Sequence, residues 1–430
     1  MNQARAPIPL TADDNLSKPT RRAMFGLGLG NTLEWYDWQI FGLLAAFIGP
    51  SFFADRDPVS STLDALAVFA VGFVARPLGG IVLGTIADRV GRRRVMLVSI
   101  GAMAGTTAVV GLLPTYSQLG VWAGVGLVAC RIVQGLSTGV EAPLSTVYAV
   151  ELMPQGQEGR AAGFIGFFVN FGIFSASLVS FCTSLLIGGD AMSTWGWRAP
   201  VLVGALMGFV VLYLRRSLPE SLKEHEVITN TRAVWGEVRS HWLGVVAIVF
   251  VVGTAQAFNY AWIVGLPSLA RSRGADPTAV FAITSTLGVM MLVGSLLTGR
   301  WADRVRLSRA FVIARTLAIP TAFIALVYDS PDLGMFAVVL LGGGVILILN
   351  MTLYNVVSTS LMPKSCRAAG TGLGYGIGVA CFGGTASYLV VWLDKHEVSW
   401  LFAAYIAVLS ILSIVTYLLA RTYSGTFAGK

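Results

Sequence analysis

Charge is what this sequence has least of: 12% of its 430 residues are Asp, Glu, Lys or Arg and 55% are hydrophobic, where a soluble domain carries about 25% charged residues. A chain so poor in charge cannot clothe a water-facing surface, which excludes an ordinary soluble protein and leaves a lipid bilayer as its solvent. Histidine and cysteine are scarce as well. The three histidines (His225, His241, His396) and four cysteines (Cys130, Cys182, Cys366, Cys381) show no metal-ligand or disulfide spacing. That argues against a metal site and an intramembrane hydrolase. No enzyme activity and no cofactor are expected, and the cysteines read as packing residues. Residues 1–22 are polar, with Pro7, Pro9, Asp13 and Asp14. They lack the apolar core of a signal peptide, so a disordered tail is expected there.

Long apolar runs, by contrast, are abundant. A transmembrane helix needs about 20 mostly apolar residues, and twelve runs qualify: 23–46, 63–87, 95–113, 119–145, 161–187, 195–214, 242–266, 279–297, 310–328, 336–357, 370–393 and 400–420. The polar stretch 215–241 divides them six and six. The expected architecture is therefore an all-α membrane protein: a tail (1–22), a six-helix half (23–214), a cytoplasmic linker with room for a short surface helix (215–241), a second six-helix half (242–420) and a short tail (421–430). The 49 glycines suit a bundle whose helices approach closely.

The basic residues orient the runs. With both termini in the cytoplasm, inner loops and tails hold 22 Lys and Arg, and outer loops hold 5 (Arg56, Arg198, Arg271, Arg273, Lys395). That split obeys the positive-inside rule. The net charge of +8 is then anchoring to the inner leaflet and not a nucleic-acid surface. The reading is a multi-pass protein of the cytoplasmic membrane.

The two halves echo each other. The stretch GTIADRVGRRR at 84–94 returns 215 residues later as GRWADRVRLSR at 299–309, keeping Gly84/Gly299, Asp88/Asp303 and Arg94/Arg309 in register. Leu152-Met153-Pro154 followed by Arg160-Ala161-Ala162-Gly163 likewise returns as Leu361-Met362-Pro363 and Arg367-Ala368-Ala369-Gly370. Parallel duplication of membrane halves is a transporter signature.

Twelve runs, the duplicated basic hairpin and an Arg-x-x-Gln-Gly sequence in the fourth run resemble the major facilitator superfamily. Within it, Gly30-Asn31-Thr32-Leu33-Glu34-Trp35-Tyr36-Asp37, Ala75-Arg76-Pro77-Leu78-Gly79-Gly80, Arg131-Ile132-Val133-Gln134-Gly135 with Glu141, and Trp195-Gly196-Trp197-Arg198 are similar to the metabolite:proton symporters, whose substrates include oxoglutarate, citrate, shikimate, proline and betaine. The resemblance implies a monomeric carrier working by alternating access on a small-molecule substrate, with a proton as coupling ion.

Four ionisable residues fall deep inside runs. Glu34 and Asp37 are three residues apart and share a helical face; charge in hydrocarbon is costly and usually does work. They are candidates for proton coupling, against the alternative that they only hydrogen-bond neighbouring helices. Arg131 cannot readily lose its charge and calls for a carboxylate partner, Asp37 or Glu34, for which a substrate carboxylate could compete; a permanent structural ion pair is the alternative. Arg76, followed by a helix-weakening proline, binds an anionic substrate or pairs with an acid of the first run. Two cations against two anions favour an organic acid over a cation as substrate.

The second half has no central charge in its seventh, eighth, tenth or eleventh run. It offers Gln256, Asn259, Tyr260, Thr284, Ser285, Asn350, Tyr354, Asn355 and Tyr375. Substrate contacts are expected from Arg76, Arg131, Tyr36, Gln134, Gln256, Asn259, Tyr260, Asn350 and Tyr354, although such groups also bond helices to each other. Trp35, Tyr36, Trp38 and Trp262 could form an aromatic cage for a quaternary ammonium or simply pack. A cytoplasmic gate is expected from Asp88, Arg92, Arg94, Glu151 and Arg160 on one half and Asp303, Arg309 and Arg367 on the other. The favoured activity is proton-coupled import of a mono- or dicarboxylate; the alternatives are symport of a zwitterion such as proline or betaine, and drug export, against which the fifth run's lack of proline speaks.

Overall fold

The computed structural model describes residues 18–53, 57–90, 92–139, 158–215, 231–325, 332–363 and 366–424, and among these residues the regular structure is helical throughout. The first run becomes α1 (Lys18–Leu43) and α2 (Ala45–Phe52), followed by α3 (Pro58–Val90), α4 (Arg92–Leu112), α5 (Val121–Thr138), α6 (Glu158–Ile187) and α7 (Arg198–Arg215). The linker contributes α8 (Thr231–Ser240). The seventh span is α9 (Trp242–Tyr260), continued through a π turn into α10 (Leu266–Ser272); α11 (Pro277–Ala302), α12 (Leu307–Ile324) and α13 (Leu333–Ser360) follow. The eleventh is α14 (Arg367–Gly378), continued through a second π turn into α15 (Gly384–Lys395), and the twelfth is α16 (Trp400–Ser424).

Among the described residues nine helical spans are individually long and apolar enough to cross a membrane, and the bent pair Gly189–Gly196 and Arg198–Tyr213 makes a tenth. The first and third runs fall short for physical reasons. α4 offers only Leu97–Leu112 as an apolar stretch. α1 carries Asn31, Glu34, Asp37 and Gln39, all buried, so its low hydropathy reflects a polar side turned into the bundle. Outward, Val98 is 67% exposed and Leu186 82%. Polar inside and apolar outside is the arrangement of a bundle in lipid.

Some boundaries depart from expectation. α1 begins at Lys18, inside the expected tail; Pro19 is tolerated in a first turn, where its missing N–H has no partner to lose. α3 runs on through Asp88 to Val90, so most of the first basic repeat is helical, while its copy breaks into a turn after Ala302. Arg271, expected in an outer loop, lies in α10 and is buried.

Close approach in the first half brings the charged spans together. A Cβ on Gly135 of α5 would lie 2.1 Å from the Gly72 carbonyl oxygen, and one on Gly79 of α3 2.0 Å from that of Leu136. Only glycine admits this backbone contact. Between the halves α6 packs along α11, with Asn170 Nδ2 donating to the Met291 carbonyl at 3.0 Å. On the other side Phe73 and Pro77 of α3 press on Gly384 and Gly376 of the eleventh span.

Candidate transport site

α1 places its two acids a turn apart against two different helices. Glu34 Oε1 lies 3.2 Å from Arg76 Nη2 on α3, and Asp37 Oδ2 accepts from Arg131 Nη1 on α5 at 3.2 Å. Of the two partners open to Arg131, it takes Asp37. All four side chains are at most 4% exposed. The ring of Trp38 lies 4.1 Å from the Arg76 guanidinium and 5.6 Å from that of Arg131, while Phe41 covers Arg131 at 3.8 Å. Aromatic faces thus shield both cations where water is excluded.

The two pairs differ in their surroundings. Asp37 Oδ1 also accepts from Thr107 Oγ1 on α4 at 2.5 Å and from Gln134 Nε2 at 3.2 Å, and Gln134 donates to Thr107 at 2.9 Å. This network lies wholly inside the first half. The Glu34–Arg76 pair borders the second half, because Arg76 is within interaction range of the Tyr375 hydroxyl, which in turn meets Tyr354.

Tyr354 and Tyr375 line a small cavity between the halves, together with Asn31, Trp35, Gly166, Asn170, Thr352 and Asn355. On the side the positive-inside rule assigns to the exterior, the halves are joined. Gln39 Nε2 donates to the Ile263 carbonyl at 2.9 Å, Ser268 Oγ to the Gly42 carbonyl at 3.4 Å, and Lys395 Nζ lies 3.2 Å from Asp57 Oδ2. The cavity-lining positions of α6 and of the whole eleventh span (367–395) lie toward the ends that begin at Glu158 and Arg367, the opposite side.

The expected substrate contacts separate into two groups. Tyr260 stacks on Trp35, with centroids 5.9 Å apart and planes at 6°, and Gln256 Nε2 donates to Tyr354 Oη at 3.2 Å. Asn259 is fully buried, and among the described residues neither its side-chain amide atoms nor the Tyr260 hydroxyl has a hydrogen-bond partner. Two expectations are corrected. Tyr36 Oη donates to the Pro200 carbonyl at 2.7 Å, so it ties α1 to the sixth span and faces away from the cavity. Asn350 Nδ2 donates to the Ala314 carbonyl at 2.9 Å and to that of Ile346 at 2.9 Å, so it joins α13 to α12. Thr284 and Ser285 return their hydroxyls to their own helix. The aromatic cage does not assemble as a unit: Trp35 reaches the cavity, whereas Trp262 donates to the Leu340 carbonyl within the second half.

Asn31, Asn170 and Thr107 enter the site without having been singled out, and each is a small polar residue whose signal drowns among the many in the spans. Arg315, fully buried in α12, donates from Nη2 to the Val251 carbonyl at 2.7 Å. At the expected gate, the Arg160 backbone N–H donates to Asp303 Oδ2 at 3.1 Å across the halves. Arg94 is exposed. The backbone N–H of Arg309 donates to the Arg306 carbonyl at 2.9 Å, and Arg367 Nε donates to the Met362 carbonyl at 3.4 Å within its own half. Glu141, Glu151 and the side chains of Asp88 and Arg92 lie outside the described residues. Among the described residues no cluster of His, Cys, Asp and Glu is arranged to hold a metal ion.

Comparison with known proteins agrees with this architecture. Residues 27–387 match the family model described as the Major Facilitator Superfamily. The ectoine/proline transporter ProP of Corynebacterium glutamicum is 32% identical over 414 residues, covering 89% of this chain and 81% of that protein. The alpha-ketoglutarate permease of Escherichia coli strain K12 is 30% identical over 437 residues, covering 98% and 99%. In fold, the chain is similar to the xylose transporter XylE from E. coli in a partially occluded inward open conformation, with a TM-score of 0.71 at 18% identity, covering 96% of this chain and all of that one. The chain therefore belongs to the major facilitator superfamily: it is a multi-pass membrane transporter and not an enzyme, its helices joined into twelve spans in two halves of six.

Proposed function

We propose that the protein imports a small organic acid, a mono- or dicarboxylate, together with a proton by alternating access. The observation that carries this reading is the Glu34–Arg76 pair set beside the cavity through Tyr375. With Glu34 ionised, the Arg76 guanidinium is occupied. A proton on Glu34 neutralises that competitor and frees Arg76 for a bidentate bond to a substrate carboxylate. Proton and carboxylate then favour each other's binding, which is the requirement for symport. Asp37, Arg131, Gln134 and Thr107 hold the first half's charge network behind the site. The unpartnered amide of Asn259 and hydroxyl of Tyr260, with Gln256 and Tyr354, supply neutral contacts from the second half.

Symport of a zwitterion such as proline or betaine is the second reading. It is favoured by the Trp35–Tyr260 stack beside the same arginine, an apolar wall suited to an ammonium group. The relatives named for α-ketoglutarate, proline, betaine and ectoine support both readings, since each of those compounds carries a carboxylate for Arg76. On this reading the protein works in the cytoplasmic membrane as a monomer with both termini inside. The inner gate would close through Asp303 and Arg160, and Asp88, Arg92, Arg94, Glu151, Arg309 and Arg367 are the further candidates for it. The test is uptake into proteoliposomes under an inward proton gradient, with labelled oxoglutarate, citrate, shikimate, proline and betaine compared. Gradient-driven accumulation of an acid, abolished by a protonophore, supports the first reading; accumulation of proline or betaine alone selects the second; accumulation of none sinks both.

A further inference from the structure

The outer seam between the halves buries a cation that the proposed mechanism does not use. Arg271 sits on α10 at the outer end of the seventh span and is 9% exposed. Its Nε donates to the Pro267 carbonyl at 3.3 Å, but Nη1 and Nη2 have no hydrogen-bond partner among the described residues. The neighbouring cations of this face are paired, Arg273 with Asp394 and Lys395 with Asp57. The Arg271 guanidinium instead lies over two rings, Phe47 of the first half at 5.0 Å and Phe281 of the second at 5.2 Å. One turn inward, Ser268 bonds the Gly42 carbonyl of α1, so Arg271 shares the face that closes against the first half.

Alternating access has to part this seam. When it opens, Phe47 leaves with the first half, while Arg271 and Phe281 stay with the second. The guanidinium then faces the outer vestibule, with both terminal nitrogens free in the planar fork that fits a carboxylate. We infer that Arg271 is a second anion site, an outer docking site that captures a substrate carboxylate before it reaches Arg76. On closure the two rings cover the guanidinium again, and their faces take the place of the carboxylate that has moved inward. Occupancy thus alternates with the seam: Arg271 serves the open state, Arg76 the closed one.

This inference rests on carboxylate import, so its test has two arms. The first measures KM for the transported acid from each face, in right-side-out and inverted vesicles. Arg271→Gln should raise the outer KM about tenfold, the loss of roughly one charge-assisted contact, and leave the inner KM within about twofold; Arg271→Lys should recover part of the loss. An unchanged outer KM, or an equal rise on both faces, overturns the site. The second arm needs no transport. Modification of Arg271 by external phenylglyoxal is followed by mass spectrometry in the Lys395→Gln protein, with oxoglutarate or chloride at equal ionic strength. Slowing by oxoglutarate beyond that by chloride supports the site even if no uptake is found, in which case the import reading alone fails. Equal slowing by both anions, or none by either, refutes a carboxylate site at Arg271 whatever the uptake shows.

Discussion

Glu34→Gln separates the proton's role from the substrate's. The Glu34 and Arg76 charges are 3.2 Å apart, and at an effective dielectric of about 20 their attraction is about 5 kcal/mol. A substrate carboxylate must overcome that competitor. Glutamine keeps the shape and still accepts a hydrogen bond from the guanidinium, which retains about 1.5 to 3 kcal/mol. The difference released to the substrate is about 2 to 3.5 kcal/mol, or roughly 30- to 400-fold tighter binding of the acid. Because nothing remains to titrate at the pair, that binding should lose its pH dependence. Accumulation driven by a proton gradient should vanish, while exchange of labelled for unlabelled acid across the membrane should persist, since exchange needs no net proton release. Without ligand the variant should also melt earlier, with substrate restoring the melting temperature. The assays are equilibrium binding to detergent-solubilised protein across the acid-to-neutral range and counterflow in proteoliposomes. Binding that weakens, binding that still follows pH as in the native protein, or accumulation that survives would each refute the competition between Glu34 and substrate for Arg76.

Other perturbations test the remaining parts. Asp37→Asn strips Arg131 of its carboxylate and should destabilise the protein by about 3 to 5 kcal/mol in thermal unfolding, with Asp37→Asn/Arg131→Gln regaining much of the loss; a double variant as unstable as the single would show that the pair is not the unit that matters. Gly135→Ala puts a methyl 2.1 Å from the Gly72 carbonyl oxygen and should cost about 1 to 3 kcal/mol by forcing α3 from α5, whereas Gly105→Ala, with open space at its Cβ, should be neutral or mildly stabilising; equal melting temperatures would contradict the close contact. Asn350→Ala should leave KM unchanged and lower stability by about 1 kcal/mol, the worth of its bond to α12, and a raised KM at native stability would return Asn350 to the cavity. Ser60 donates from its hydroxyl and backbone N–H to Asp57, which with Lys395 holds that carboxyl below the usual range. The outer latch is therefore fully present above the ordinary carboxylate pKa and is lost only as pH falls through the lowered value. Labelling of Ser268→Cys by an external thiol reagent should stay slow at mildly acidic pH and speed up in Lys395→Gln; labelling that accelerates at the ordinary carboxylate pKa would disprove it.

Much of the architecture was legible because hydrocarbon imposes so few solutions. Twelve apolar runs, their charge asymmetry and the duplicated motifs lead directly to two six-helix halves. The deep charges were legible too, since an arginine and an acid in adjoining apolar spans have little choice but to meet. What was not legible is helix rotation. Tyr36 and Asn350 looked like cavity residues because polar groups in lipid-embedded spans are conspicuous, yet the same hydrogen-bonding capacity serves equally to tie α1 to the Pro200 carbonyl and α13 to α12. Arg271 looked like a loop residue because it follows a long apolar run and precedes Ser272, Arg273 and Gly274. In the fold two aromatic rings from opposite halves carry the helix one turn further around it, and no single-chain pattern announces contact between Phe47 and Phe281.

The division of labour between the halves follows from electrostatics. In the proposed mechanism a proton arriving at Glu34 changes the local charge by one unit in a medium that screens poorly, beside Arg76; Arg131 is held by Asp37, Thr107 and Gln134. Were the second half to carry a further fixed charge at the cavity, the substrate's carboxylate would meet a second Coulomb partner and the proton on Glu34 would no longer decide occupancy of Arg76. On the proposed reading, hydroxyls and amides from Gln256, Tyr354 and Tyr375 would orient the bound molecule while leaving that electrostatic decision to one residue pair. Placing Lys at Gln256 should therefore tighten acid binding yet weaken its dependence on pH, and a variant in which both rise together would show that the neutrality of the second half is incidental to coupling.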